Sequence, residues 1–294
     1  MTNTKPIWLR LAPAIFLILW SGGFSVAKLG ILHAEPWSFL SLRYALVLAI
    51  ILPLLVILRP PLPQQPSQWA HLAIVGFLIQ TVYFGLSYIG LKAGVSAGGV
   101  AIIVCLQPLL VGLIAPRFAG ERVGIVRWAG LALGLAGAAT VIASRSTVEL
   151  EHPMGVLAVV GSLFAITLGT LWEKRFGRNH HPVVSNAVQY AAGLAGTLPF
   201  ALAFEQFSFT WNLPFAGALA YLVVGNSLIA MSLLFAMIRA GEVSRVSSLF
   251  YLVPPISALI AWPVLGEAIP PLGWAGFALA AAGVLIASRT PTPK

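Results

Sequence analysis

The chain contains no aspartate and only eight glutamates, and charged residues of both signs make up 9% of its 294 positions. The glutamates, at 35, 121, 149, 151, 173, 205, 242 and 267, all fall between apolar segments or near their ends. No clustered acid, base and nucleophile set remains from which a catalytic centre is built, so an enzyme is not expected. Cys105 is the sole cysteine, which excludes an intrachain disulfide and a thiolate metal or redox framework. Of the five histidines only His180 and His181 adjoin, and no further ligand accompanies them, so neither a metal nor a cofactor is expected. Polar stretches long enough for a soluble domain are also missing; the Pro-rich run from Arg59 to Pro66 reads as a short extended connector.

What fills the chain instead is apolar sequence. Hydrophobic residues make up 59% of it, more than a soluble core of this length can bury, so the fold class read here is an all-α integral membrane protein with the lipid bilayer as its solvent. Apolar stretches run over 11–31, 37–58, 69–91, 96–116, 125–143, 154–174, 183–204, 214–238, 244–264 and 271–288. Most hold about 20 residues, enough at about 1.5 Å per residue to cross a hydrocarbon layer of about 30 Å. Ten transmembrane helices are expected. Lys5 and Arg10 ahead of the first are read as flanking a retained helix, not a cleaved signal.

The formal charge of +9 would suggest nucleic acid in a soluble protein, but its placement speaks for topology. With a cytoplasmic N-terminus, 13 of the 17 lysines and arginines lie inside or at inner helix ends, leaving Lys28, Arg43, Lys92 and Arg145 on the outer half. Both termini are then cytoplasmic. Tryptophans near segment ends, such as Trp8, Trp37, Trp69 and Trp211, suit headgroup anchors, and no nucleic-acid partner is expected.

The chain also repeats itself at an offset of about 146 residues. Tyr44 aligns with Tyr190, Pro53 with Pro199, Pro108 with Pro254, and Gly120-Glu121 with Gly266-Glu267; residues 108–137 match 254–283 at about 13 of 30 positions. The expected organisation is therefore two repeats, 1–147 and 148–294. Five helices in each return the chain to the opposite side, so the repeats carry inverted topology, related by a pseudo-two-fold axis in the membrane plane. Such pairs place cargo at the repeat interface near the midplane and open to each side in turn, which points to a transporter.

Trp20-Ser21-Gly22-Gly23-Phe24 running on to Lys28, Arg43 in the second helix, the doubled Gly-Glu turns, and the following Trp128 and Trp274 with their Ala-Gly steps resemble the drug/metabolite transporter superfamily with its EamA-type repeats. Over the whole chain the likeness is greatest to the YddG-type exporters of aromatic amino acids. That resemblance implies ten helices, a bacterial inner membrane and efflux of amino acids or related metabolites. One departure stands out: Gln189 occupies the position matching Arg43.

Candidate substrate-lining residues follow from depth and spacing. Trp20, Gln80 and Asn226 fall near mid-membrane, with Gln107 close by; an amide unpaired in lipid costs several kcal/mol, so these are expected to face a lumen or a neighbouring helix. Gln80, Tyr83 and Ser87 share a face of the third helix, as Ser244, Ser247, Ser248 and Tyr251 share one of the ninth. Arg43 and Tyr190 complete the set, Arg43 with a structural or substrate-carboxylate partner. Paired interruptions at Gly22, Gly23 and Gly169, and at Pro108, Pro254 and Pro255, are candidate hinges. With no carboxylate or histidine expected at depth, gradient-driven facilitation is favoured over a proton-coupled multidrug exporter. Small-residue faces, Gly130, Gly134 and Ala138 in the fifth helix and Gly276 and Ala280 in the tenth, are expected to pack the repeats together, with a homodimer interface as the alternative to a monomer.

Overall fold

Prolines open seven of the described helices, at Pro36, Pro66, Pro153, Pro182, Pro214, Pro254 and Pro271, where a missing N–H costs nothing because first-turn donors have no intrahelical acceptor. The computed structural model describes residues 7–107, 110–111, 114, 124–144, 152–176, 180–239, 252–266, 268 and 270–289. In chain order these form α1 (Ile7–Ile31), α2 (Pro36–Leu58), α3 (Pro66–Gly76, continuing through Phe77–Tyr83 into Phe84–Lys92), α4 (opening at Ala97–Val104), α5 (Ile125–Ser144), α6 (Pro153–Phe176), α7 (Pro182–Phe204), α8 (Leu213–Ala220, then Tyr221–Ala230 and Met231–Arg239), α9 (Val253–Leu265) and α10 (Pro271–Arg289). Ser96 Oγ accepts from Gly99 N (2.8 Å) to start α4, and Asn212 Oδ1 from Phe215 N (2.8 Å) to start α8. Gly266 closes α9 at φ 69°, the left-handed conformation glycine adopts without a Cβ penalty.

Among the described residues there is no strand, only an isolated antiparallel bridge between Ala34 and Phe209. Among the described residues six helices are long and apolar enough to cross a membrane: Leu11–Ile31, Pro36–Leu58, Pro66–Lys92, Pro153–Glu173, Pro182–Phe204 and Leu213–Leu234. Shorter apolar helices lie at Val253–Leu265 and Pro271–Gly283. Along α2 the outward residues Leu46, Ile50, Leu54 and Ile57 are apolar and exposed, while the inward face carries Ser38, Ser41, Arg43 and Tyr44. A water-soluble helix has the reverse pattern. Apolar outside and polar inside is the arrangement of a multi-pass membrane protein whose interior holds groups that lipid would not solvate.

Helices at matching positions of the two repeats pack in antiparallel pairs. Between α2 and α7, Glu205 meets Ser38, Ser41 Oγ donates to Thr197 Oγ1 (3.0 Å), and the Tyr44 and Tyr190 rings lie 5.5 Å apart. These tyrosines are themselves repeat mates. Between α5 and α10 the small residues meet as the sequence suggests: a Cβ on Gly137 would strike the Ala280 backbone, and one on Gly283 the backbone of Gly134. This pair sits at the periphery, with Phe277 of α10 clustering with Ile102 of α4 and Ala258 of α9.

Two π-helical stretches, Phe77–Tyr83 in α3 and Tyr221–Ala230 in α8, interrupt the regular ladder at corresponding places. Sequence reasoning put its breaks elsewhere. It expected kinks in the fourth and ninth helices, where the described backbone leaves the α-helix at Cys105–Leu106 and re-enters one at Val253 after a turn at Leu252. Pro254 and Pro255 occupy the first turn of α9, and Pro108 lies outside the described residues.

Candidate functional site

Arg43 is the largest fully buried side chain among the described residues, at 0% exposure. It projects from the inward face of α2, and its planar fork is satisfied across the repeats: Nε donates to Ser227 Oγ (3.0 Å) and Nη2 to Asn226 Oδ1 (2.9 Å) from α8, while Nη1 donates to Tyr88 OH (3.0 Å) from α3. The Phe84 ring packs against the guanidinium, with Cζ 4.9 Å from its centroid. Every one of these partners is neutral. An arginine at the centre of a membrane helix costs about 2.5–3.5 kcal/mol, and three charge-assisted hydrogen bonds at about 1.5–3 kcal/mol each offset that without any carboxylate.

Around this cation lies a cavity of about 10 Å³ lined by Trp20, Gly23, Phe24, Arg43, Tyr83, Phe84, Ser87, Tyr88, Leu222 and Asn226. That volume is about what one water molecule needs, so the site is collapsed around its own side chains in this conformation. Its walls come from α1, α2 and α3 of the first repeat and α8 of the second. Glycines in α1 make the approach possible. A side chain at Gly23 would collide with the Asn226 amide, and one at Gly22 with the Tyr221 hydroxyl, which donates to Leu19 O (3.0 Å). Asn226 Nδ2 donates to the same carbonyl at 3.4 Å, fixing the amide so that Oδ1 faces Arg43.

Of the candidate lining residues, Trp20, Arg43, Tyr83 and Asn226 therefore meet at one cavity, and Gly23 lines it too. Gln80, Gln107 and Tyr190 are buried elsewhere in the bundle. Gln107 Nε2 donates to Thr170 Oγ1 (2.8 Å), joining α4 to α6, and Tyr190 OH donates to Ser227 O (3.4 Å), beneath the Arg43 cluster. Both amide atoms of Gln80 and of Gln189 are buried with no hydrogen-bond partner among the described residues. Gly169 of α6 packs on Ile79 and Leu78 of the α3 π-turn, as Gly23 of α1 packs on Asn226 of the α8 π-turn. Ser244, Ser248 and Tyr251 lie outside the described residues.

Tyr88, Ser227, Phe24, Phe84 and Leu222 were not singled out by sequence reasoning. One signal was present in the chain: Gln80 and Asn226 are separated by the repeat offset of 146, and each sits in a π-helical stretch. A π-turn widens the helix and re-aims one side chain, so matching amides in matching wide turns occupy corresponding positions of the two halves, although Asn226 alone of the two lines the cavity.

At the opposite side of the bundle from the chain termini of α2 and α3's start, the loop after α1 is fastened to the loop after α7. Thr210 N donates to His33 O (2.7 Å), the His33 Nδ1 and Asn212 Nδ2 atoms lie 3.0 Å apart, and the Glu205 carboxylate accepts from Trp37 N (3.1 Å), Ser38 N (2.7 Å) and Ser38 Oγ (2.9 Å). Lys92 pairs with Glu35 at 2.9 Å beside them. These contacts tie the two loops together and close the bundle at this end.

The sequence profile of the EamA-like transporter family matches the chain twice, over residues 7–143 and 153–289. An uncharacterized transporter of Bacillus subtilis, YvbV, is 28% identical over 255 residues, covering 86% of this chain and 83% of that protein. A protein of Streptantibioticus cattleyicolor named a probable terminal-alkyne amino-acid exporter is 27% identical over 297 residues, covering 98% and 95%. A solved crystal structure superposes with a TM-score of 0.72 at 21% identity, covering 96% of this chain and 97% of its own, which is a likeness of fold.

Proposed function

This chain belongs to the EamA-like transporter family, and from that premise we propose that it exports small metabolites, amino acids including aromatic ones among them, across a bacterial inner membrane by alternating access. In this reading ten spans form two inverted repeats, 1–147 and 148–294, with both termini cytoplasmic. The antiparallel packing of repeat mates α2 with α7 and α5 with α10 supports the inversion, and the excess of lysine and arginine in the loops on one side supports the orientation. The observation that carries the reading is the cavity around Arg43, walled by both repeats, deep in an apolar body and closed at one end. Rocking of one repeat against the other about the glycine contacts of α1 and α6, and about Pro108, Pro254 and Pro255, would open it to each side in turn.

The cargo's own gradient drives transport in this reading. Among the described residues, Glu35 is spent on a surface ion pair, Glu205 on a helix N-terminus, and Glu173 lies in the last turn of α6; none of the three lines the cavity. The name of the Streptantibioticus relative favours amino-acid cargo. Counterflow in proteoliposomes at equal pH on both sides is the test. Vesicles loaded with unlabelled phenylalanine should accumulate labelled phenylalanine; uptake that appears only with an imposed pH gradient would replace facilitation by proton coupling.

A further inference from the structure

Resting on the export reading above, we infer that the Arg43 cavity is a carboxylate subsite: Arg43, with the hydroxyls of Tyr83 and Ser87, holds the acidic end of the cargo, so the protein selects solutes by their carboxylate and not by their ammonium group. Three observations converge. The guanidinium has five N–H donors, and the three hydrogen bonds to Ser227, Tyr88 and Asn226 do not exhaust them, while the side chain itself lines the cavity. Among the described residues its charge is matched by no carboxylate; its hydrogen-bond acceptors are a serine, an asparagine and a tyrosine, and an arginine fork fits a carboxylate with two parallel hydrogen bonds.

The third observation is independent of the arginine. Tyr83 OH and Ser87 Oγ line the same cavity, are fully or almost fully buried, at 0% and 1% exposure, and have no hydrogen-bond partner among the described residues. An unpartnered buried hydroxyl has lost its water without gaining a partner, a cost that a bound oxygen acceptor would return. Both hydroxyls are donors, they sit one turn apart on α3, and they line the cavity that Arg43 lines. A carboxylate accepts from all three. An ammonium group finds no anion in this cavity, only the faces of Trp20, Phe24 and Phe84. In the second repeat the corresponding position is Gln189, so the cavity has one cationic wall and binds one carboxylate.

The test is counterflow of labelled phenylalanine by the full-length protein in proteoliposomes, in competition with 3-phenylpropionate, which keeps the carboxylate, and phenethylamine, which keeps the ammonium. The wild-type chain should be inhibited by 3-phenylpropionate about as well as by unlabelled phenylalanine, and at least about tenfold more weakly by phenethylamine. Arg43→Gln should raise the KM at least about tenfold and remove the preference for the carboxylate compound, while Arg43→Lys, which keeps the charge without the fork, should retain the preference at a weakened KM. Tyr83→Phe and Ser87→Ala delete hydroxyls that have no hydrogen-bond partner among the described residues, so they should fold and raise the KM about threefold each with the maximal exchange rate unchanged. Equal inhibition by phenethylamine, or an unaltered KM in Arg43→Gln, would overturn the subsite; should Arg43→Gln not fold, an unaltered KM in both hydroxyl variants overturns it. In those cases phenylalanine still exchanges and the export reading stands. Absence of phenylalanine exchange by the wild-type chain overturns both.

Discussion

Glu205 shows how much one side chain can do at the boundary between repeats. It leaves the C-terminus of α7 and supplies the N-terminal cap of α2, 167 and 168 residues away, accepting two backbone N–H bonds and one hydroxyl bond. A carboxylate there satisfies donors that have no intrahelical acceptor and faces the positive end of the helix dipole. Glu205→Ala should therefore lower stability by about 1–2 kcal/mol, read as a fall in the thermal unfolding midpoint in detergent, with Glu205→Gln losing less. An unchanged midpoint would mean that water replaces the carboxylate at no cost. In the sequence Glu205 is only one of several carboxylates between apolar segments. Arg43 was more legible, because a charge in the middle of an apolar run is rare enough to require an explanation. Its partners Tyr88 and Ser227 were not, since hydroxyls are common along the chain and nothing local says which of them will face α2.

At the scale of the element, small residues and wide turns decide how closely the rods approach. Gly137 and Gly283 let α5 and α10 touch backbone to backbone; the small residues they meet, Gly276 and Ala280 on one side and Gly130 and Gly134 on the other, were readable from their spacing in the sequence, whereas these two glycines were not part of that expectation. Gly137→Val places a branched side chain against the Ala280 backbone, which cannot yield as a flexible side chain would. It should cost about 1–3 kcal/mol and lower the midpoint by several degrees while leaving the KM for phenylalanine unchanged, since the pair stands apart from the cavity. The π-turns of α3 and α8 were missed for a physical reason. Changing the hydrogen-bond register by one residue needs no special residue type, and prolines and glycines, which do announce themselves, drew attention to α1, α4, α6 and α9 instead. Only the matching offset of Gln80 and Asn226 carried a trace of them.

For the whole molecule, the closed end is the feature with the most direct consequence. Ala34 and Phe209 pair as antiparallel bridge residues, which brings their Cα atoms to about 4.5–5.5 Å, within disulfide range. In a Cys105→Ala background, Ala34→Cys with Phe209→Cys should crosslink on mild oxidation, suppress phenylalanine counterflow about tenfold or more, and recover it on reduction. Undiminished exchange by the crosslinked protein would show that this end need not part during transport.

Apolar runs of membrane length, the scarcity of carboxylates and the 146-residue repeat determined a helical membrane transporter from the sequence alone, because those properties are set by counting and spacing along one chain. Which helices touch, where the arginine finds its three neutral partners, and which end of the path is shut were decided by the tertiary structure. The hydrogen bonds among those contacts join residues as much as 207 positions apart, and their energies depend on directions and distances that a linear order of side chains does not contain.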